Sequence, residues 1–470
     1  MLESILYLFS EISLLAAIII LLLQRFFTEQ SIKSCIKTTK IAVIISAFSA
    51  VLFYNKSLFD TVFETTGYTA LFYVLSALIV FAWVSLSVKW FISEDMPALS
   101  FCILSLLSLL SFDIIIKSIN LGFLFVGLLI LSFVNYNFLK LSEQSEEFHH
   151  ISKRYISIVL SCALMMLISL LVLSPQNWSY SRAAEFIGMA EVNIVILIIS
   201  GILFYLLILW GVAPLHFCFV DAIAPAVLPV AIYFNLVSMF ALFASFVKIN
   251  TLIFVPWNLE LNLIYSLFGI LSLIIGAIGA NSSRNLKKIF AYSSIYNLGM
   301  LLLLISPFTS SNLLGGFIYL QVYILALFGI YTAFYSFKSN GVYLSNLNMI
   351  NGIAKVRPFI SASMLFFMLS IMGIAPFPGF IGQLYVLESF IETSSYLILF
   401  ITLFSMLVLI AAYLQIVRSM YFNQKEVDFN RPDYGVYIYL VINILLLTVL
   451  IFKPEFLLYD VPAVLNLVLK

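Results

Sequence analysis

The sequence predicts an all-α polytopic membrane protein on three observations. Of the 470 residues, 63% are apolar and only 10% charged, against roughly 45–50% and about 25% in soluble chains, and mean hydropathy is +1.13. The apolar residues gather into fourteen runs, most of them near the ~20 residues a bilayer-spanning helix needs. Two of those runs carry the same glycine–proline interruption. Twenty-three Lys and Arg oppose 22 Asp and Glu, a net charge of +1, so no field draws nucleic acid and none is expected as a partner. The partner that composition demands is the lipid bilayer.

The first run lies near 5–23; Glu3 precedes it where a cleaved signal would carry positive charge, and no small-x-small site follows. It reads as a retained span. The others lie near 40–55, 69–89, 97–116, 119–139, 155–174, 193–213, 224–247, 261–280, 288–306, 314–336, 359–391 (interrupted), 396–421 and 434–452. Backbone groups in hydrocarbon are satisfied within a helix, and the period-2 alternation of a membrane barrel is absent. Loops taken alternately hold Lys and Arg in a 17:6 split, with Lys117, Lys248 and Arg357 counted as loop residues. That bias places both termini outside. The polar stretches 141–154, 337–358 (with Asn340 and Gly341) and 423–433 read as short connectors. One membrane domain over 1–470 is expected: helices 1–3 in 1–96, a five-helix repeat in 97–248 (helices 4–8), a second in 261–421 (helices 9–13), and helix 14 with a tail in 434–470.

The interruptions are Gly211-Val212-Ala213-Pro214 and Gly373-Ile374-Ala375-Pro376, the second continuing as Phe377-Pro378-Gly379-Phe380. Proline removes a backbone donor and clashes with the preceding turn, so helices 7 and 12 should be broken at Gly211, Pro214, Gly373, Pro376, Pro378 and Gly379. The breaks fall five spans apart, and an odd offset inverts the second repeat relative to the first. Broken helices at corresponding places in inverted repeats point to an ion or solute path.

Other chemistries are excluded. Cys35, Cys102, Cys162 and Cys218 are scattered with no C-x-x-C pair, which encodes neither a zinc nor an iron–sulfur site. There is no G-x-x-x-x-G-K-[ST] and no G-x-G-x-x-G, the phosphate-cradling devices. No catalytic, cofactor-binding or metal-ligating residue is expected on this chain.

The run Asn285-Leu286-Lys287-Lys288-Ile289-Phe290-Ala291-Tyr292-Ser293-Ser294-Ile295 resembles one found in the antiporter-like membrane subunits of proton-pumping NADH:quinone oxidoreductase, respiratory complex I. So do Leu369 to Pro376 followed by Gly379-Phe380-Ile381-Gly382, Pro214-Leu215-His216 with Asp221 and Pro229-Val230, Tyr413 to Phe422, and Ser10-Glu11-Ile12. Within that family the short N type, subunit 2 in mitochondria, is most similar. The resemblance implies a non-redox subunit coupling electron transfer from NADH to quinone with proton translocation. NADH, FMN, iron–sulfur clusters and quinone would then reside on other subunits. Its partners would be the other membrane-arm subunits, and its place a bacterial inner membrane or, alternatively, the mitochondrial one. A subunit of a multisubunit cation/proton antiporter shares the same motifs, and a non-pumping structural paralogue is a further alternative.

The resemblance also implies four membrane-embedded charges that this chain lacks. The glutamate position falls near Gly122 to Leu124; the three lysine positions are Leu209, Met239 and Gln383; a histidine position is Asn297. The family's proton path therefore looks degenerate here. The remaining path candidates are His216, which titrates near neutrality or simply hydrogen-bonds freed carbonyls; Asp221, which alternatively caps the following helix; and Gln383, which bonds without titrating. Glu388, sharing a face with Glu392, marks a proton exit or a solvated helix end. Lys287 and Lys288 are explained equally by topology anchoring.

Overall fold

The computed structural model describes residues 8–27, 32–52, 56–58, 63–94, 97–142, 145–339, 342–424, 429–430 and 434–453. Asn340, Gly341 and the tail beyond 453 lie outside the described residues. Twelve of the fourteen apolar runs are helices long and apolar enough to cross a bilayer, from Ile32–Leu52 to Tyr434–Phe452. The remaining two explain the difference from fourteen. The first is the helix Phe9–Phe27, of which the described residues cover the apolar stretch Phe9–Gln24. The interrupted run divides into Pro358–Ile371 and Gly379–Glu392, each of 14 residues. Pro358–Ile371 is itself bent by 120° from Leu347–Val356, and counting that pair as one span gives thirteen.

Local sequence explains where helices begin. Asn120 accepts from Gly122 N to open Leu121–Leu141, and Asn285 accepts from Lys287 N and Lys288 N to open Leu286–Ile305. Both are N-caps satisfying first-turn donors. Ser145 does the same for Glu146–Leu173, with Glu146 and Glu147 in the first turn, where their charge suits the positive end of the helix dipole. That helix therefore occupies most of the stretch read from sequence as a connector at 141–154. Serines inside spans bond back to their own helix: on Ala98–Lys117, Ser105, Ser108 and Ser111 donate to the carbonyls of Cys102, Ser105 and Ser108. Each hydroxyl is thereby satisfied without water.

The helices form two compact units, residues 1–210 with 225–257, and 211–224 with 258–466. In the first, Trp83 sits at the centre: its indole N–H donates to Pro229 O at 2.9 Å, and its ring meets Phe101, Phe138 and Tyr233. The Leu228–Leu252 span, buried up to Thr251, contains a π-helical turn at Tyr233–Val237. In the second, Asn258–Ser282 lies against Leu286–Ile305 so closely that a Cβ on Gly276 would stand 2.6 Å from Tyr296 N, the backbone approach that small residues permit in membranes. The segment 211–224, expected within the repeat 97–248, groups with the second unit.

Candidate functional site

Both interruptions are real breaks, and both are governed by a glycine. Val192–Trp210 ends before Gly211, and Pro358–Ile371 ends before Gly373; φ is +81° at Gly211 and +67° at Gly373, the left-handed region that a side chain disfavours. A Cβ on Gly211 would come 2.7 Å from the Phe219 ring, and one on Gly373 would collide with the Gln383 amide. Pro214 and Pro376 each follow within their break, both after cis peptide bonds. Beyond the breaks the chain resumes as Phe217–Ile223 and as Gly379–Glu392.

At the first break, Ala213 N donates to Ser272 Oγ at 3.0 Å. His216 is half-buried at the start of Phe217–Ile223, its ring centroid 6.3 Å from that of Tyr292. Asp221 lies in the same short helix, and its charge reaches both His216 and Tyr292. Asp221 does not cap the helix that follows: Val227 is the residue at that N-terminus.

At the second break, Gln383 is 4% exposed; its Nε2 donates to Ile371 O at 3.1 Å, while Oε1 accepts no hydrogen bond among the described residues. It lines a cavity of about 10 Å³ with Asn297, Tyr319, Tyr323 and Ser370, room for about one water. Tyr319 donates to Asn297 Oδ1 at 2.7 Å; Asn297 Nδ2 donates to Ser293 O, also at 2.7 Å. Ser293 and Tyr413 share a hydrogen bond, and Tyr323 donates to Ser294 Oγ at 2.8 Å. The arrangement is a string of hydroxyls and amides: it can orient water and pass hydrogen bonds, with no charged group within it.

The other candidates stand apart from that string. Glu388 and Glu392 are both exposed on Gly379–Glu392. Lys288 is exposed and Lys287 half-buried in the first turn of Leu286–Ile305. Among the described residues, no group of three or more His, Cys, Asp or Glu is placed to hold a metal ion.

The profile of the NADH:quinone oxidoreductase/Mrp antiporter transmembrane family matches residues 118–409. The chain belongs to this family. Among curated relatives it is similar to NADH-quinone oxidoreductase subunit N of Rickettsia bellii, 30% identical over 260 residues, 55% of each chain. The chain spans about half the length of the curated relatives it matches. Its fold matches a chain of respiratory complex I from Thermus thermophilus, at TM-score 0.80 and 19% identity, covering 96% of this chain and 98% of that one. It also matches a chain of the membrane-bound sulfane sulfur reductase, an archaeal respiratory membrane complex, at TM-score 0.87 and 18% identity, covering 100% and 98%.

In this member of the NADH:quinone oxidoreductase/Mrp antiporter family, packing residues stand at three of the positions where the sequence resemblance implies charges. Leu124, Leu209 and Met239 are all buried, and Gly122 lies under Trp178, where a Cβ would come 2.7 Å from the indole. Its buried charges are elsewhere. Lys117 and Lys248, read from sequence as loop charges, are 3% and 5% exposed inside Ala98–Lys117 and Leu228–Leu252. Arg357, also counted in a loop, is buried with Nη1 donating to Ser336 O. Lys248 Nζ donates to Ser118 O at 2.8 Å and Ile116 O at 3.2 Å. Lys117 Nζ lies 2.8 Å from Glu11 Oε1 and 2.7 Å from Asp113 Oδ1. The i, i+4 spacing of Asp113 and Lys117 in an apolar helix was the signal available; their meeting with Glu11, more than a hundred residues earlier, had none.

Proposed function

We propose that this chain is an N-type membrane-arm subunit of a bacterial NADH:quinone oxidoreductase, coupling electron transfer from NADH to quinone with proton movement across the inner membrane. The observation that carries this is the 30% identity to a subunit N over 260 residues. The chain itself performs no redox step in this reading: NADH, FMN, iron–sulfur clusters and quinone belong to partner subunits of the same complex. The breaks at Gly211 and Gly373 support division into the repeats 97–248 and 261–421.

Within this proposal, His216 with Asp221 and Tyr292 is the titratable group nearest a break. Gln383 holds the end of the hydroxyl–amide string, so protons reaching it would move through hydroxyls and the single water the cavity admits. Glu388 serves as a solvated exit, while Lys287 and Lys288 anchor the helix end. A tagged chain purified from its host membrane should bring down flavin- and iron–sulfur-containing subunits together with NADH:quinone reductase activity. Recovery with small antiporter subunits and no flavin would overturn the proposal in favour of a cation/proton antiporter.

A further inference from the structure

In the first unit, four polar side chains from two helices meet in an apolar surround. Ser10 and Glu11 come from Phe9–Phe27, Asp113 and Lys117 from Ala98–Lys117. Side-chain exposure is 0% for Asp113, 4% for Lys117 and 17% for Glu11. The Ser10 hydroxyl is the hub: its Oγ lies 2.8 Å from Glu11 Oε2, 3.0 Å from Asp113 Oδ2 and 2.8 Å from Lys117 Nζ.

The valence of that hydroxyl decides the proton count. A serine oxygen has one hydrogen to donate and two lone pairs to accept with. Lys117 donates to one lone pair. The single hydrogen reaches one carboxylate. If both carboxyls are ionised, the other carboxylate oxygen faces Ser10 as acceptor against acceptor at about 3 Å. If one carboxyl carries a proton, its O–H donates to the second lone pair and all three contacts become hydrogen bonds. Charge balance agrees: two carboxylates and one ammonium leave a net negative charge in a site where an uncompensated charge is costly, and one added proton makes the cluster neutral. Asp113 Oδ1, meanwhile, faces Lys117 as an ion pair and accepts no aligned hydrogen bond.

We propose that the Ser10–Glu11–Asp113–Lys117 cluster binds one exchangeable proton, held between Glu11 and Asp113 through the Ser10 hydroxyl. Exchange with the aqueous phase runs through Glu11, the most exposed member. The O–H bond formed is on one carboxyl, and on release its electron pair stays on that oxygen while the proton leaves to water. Among the described residues, the groups facing the cluster are few. Tyr73 places its ring centroid 5.5 Å from Lys117 Nζ; Lys248 holds the carbonyls of Ile116 and Ser118, with Tyr180 under it; Cys35 and Cys102 are buried on Ile32–Leu52 and Ala98–Lys117. None of these supplies the missing positive charge at Ser10. The site is independent of the functional reading above, because it needs no turnover.

The test is infrared difference spectroscopy of the purified full assembly in lipid, titrated with pH in light and heavy water. The wild type should show the carbonyl stretch of a protonated carboxylic acid that shifts in heavy water and is lost as pH rises. Asp113→Asn and Glu11→Gln should each remove that titrating band. Ser10→Ala, which takes away one hydroxyl and leaves every charge, should move the band to higher frequency, and it serves if the other two fail to assemble. A band unchanged in Ser10→Ala would overturn the proposal, as would its absence from the wild type. A band responding to sodium at fixed pH rather than to pH would reassign the site to a metal cation and equally overturn it.

Discussion

The Tyr319 hydroxyl donates to Asn297 Oδ1 at 2.7 Å beside the cavity that Gln383 closes. Both residues are buried, so bulk water does not take the place of this bond. Tyr319→Phe leaves the amide oxygen unpaired, a loss of about 1–3 kcal/mol. Thermal unfolding of the purified assembly should register it, and Asn297→Leu added to Tyr319→Phe should recover part. Additive losses in the double variant would contradict the pairing.

Gly373 and Gln383 are similarly bound to each other. Gly373→Ala meets two penalties, a positive φ and a collision with the Gln383 amide. The first alone exceeds about 1 kcal/mol. Shortening the neighbour with Gln383→Ala relieves the collision and leaves the backbone penalty. The double variant should therefore be intermediate in thermal stability between wild type and Gly373→Ala. A double variant less stable than either single one would show that the close approach has no energetic role.

These pairings also show what the sequence withholds. Fourteen runs are legible because hydrocarbon thickness imposes length and composition on a span, and twelve became single helices. The breaks are legible because Gly-x-Ala-Pro is a local backbone statement. Charges at the edge of a run are harder: Lys117 and Lys248 stand at helix ends, where snorkelling to a loop and turning inward look identical in one dimension. Their inward turn depends on Glu11 and on the Ser118 carbonyl, supplied by helix packing. The partners of Gln383 are likewise distributed over several helices, and no periodicity announces them.

Lys248 provides a test of that inward turn. Its ammonium holds the carbonyls of Ile116 and Ser118, groups at the end of Ala98–Lys117 that have no partner within the helix. Lys248→Met keeps the stem and removes the donors. The assembly should lose about 1–3 kcal/mol of stability, read as a lower melting temperature. An unchanged melting temperature would mean that Lys248 reaches solvent instead.

Surface labelling addresses topology. All four native cysteines are buried, so Gln176→Cys and His150→Cys, both at exposed positions, introduce the reactive thiols. His150 stands in the second turn of Glu146–Leu173, and Gln176 lies just beyond its far end. An impermeant maleimide added to sealed right-side-out vesicles should label position 176 and spare position 150, with the reverse in inverted vesicles. Labelling of both from one side would remove that helix from the list of spans.

If the complex I reading holds, an assembly carrying this chain should move fewer protons per electron than one whose corresponding subunit has ionisable groups at the positions of Leu209, Met239 and Gln383. A buried lysine relays protons because desolvation and neighbouring charges bring its two protonation states close in energy. Leucine and methionine have no such proton, and a glutamine amide does not titrate. At the two breaks there remain His216 with Tyr292 beside it at one, and a neutral hydroxyl–amide string with space for about one water at the other. His216→Phe should therefore abolish translocation through this subunit while electron transfer and assembly persist. Proton yield measured against quinone reduction in sealed vesicles separates the outcomes. A full yield, equal in wild type and His216→Phe, would show that protons cross this subunit by a route using neither the family's charge positions nor the first break.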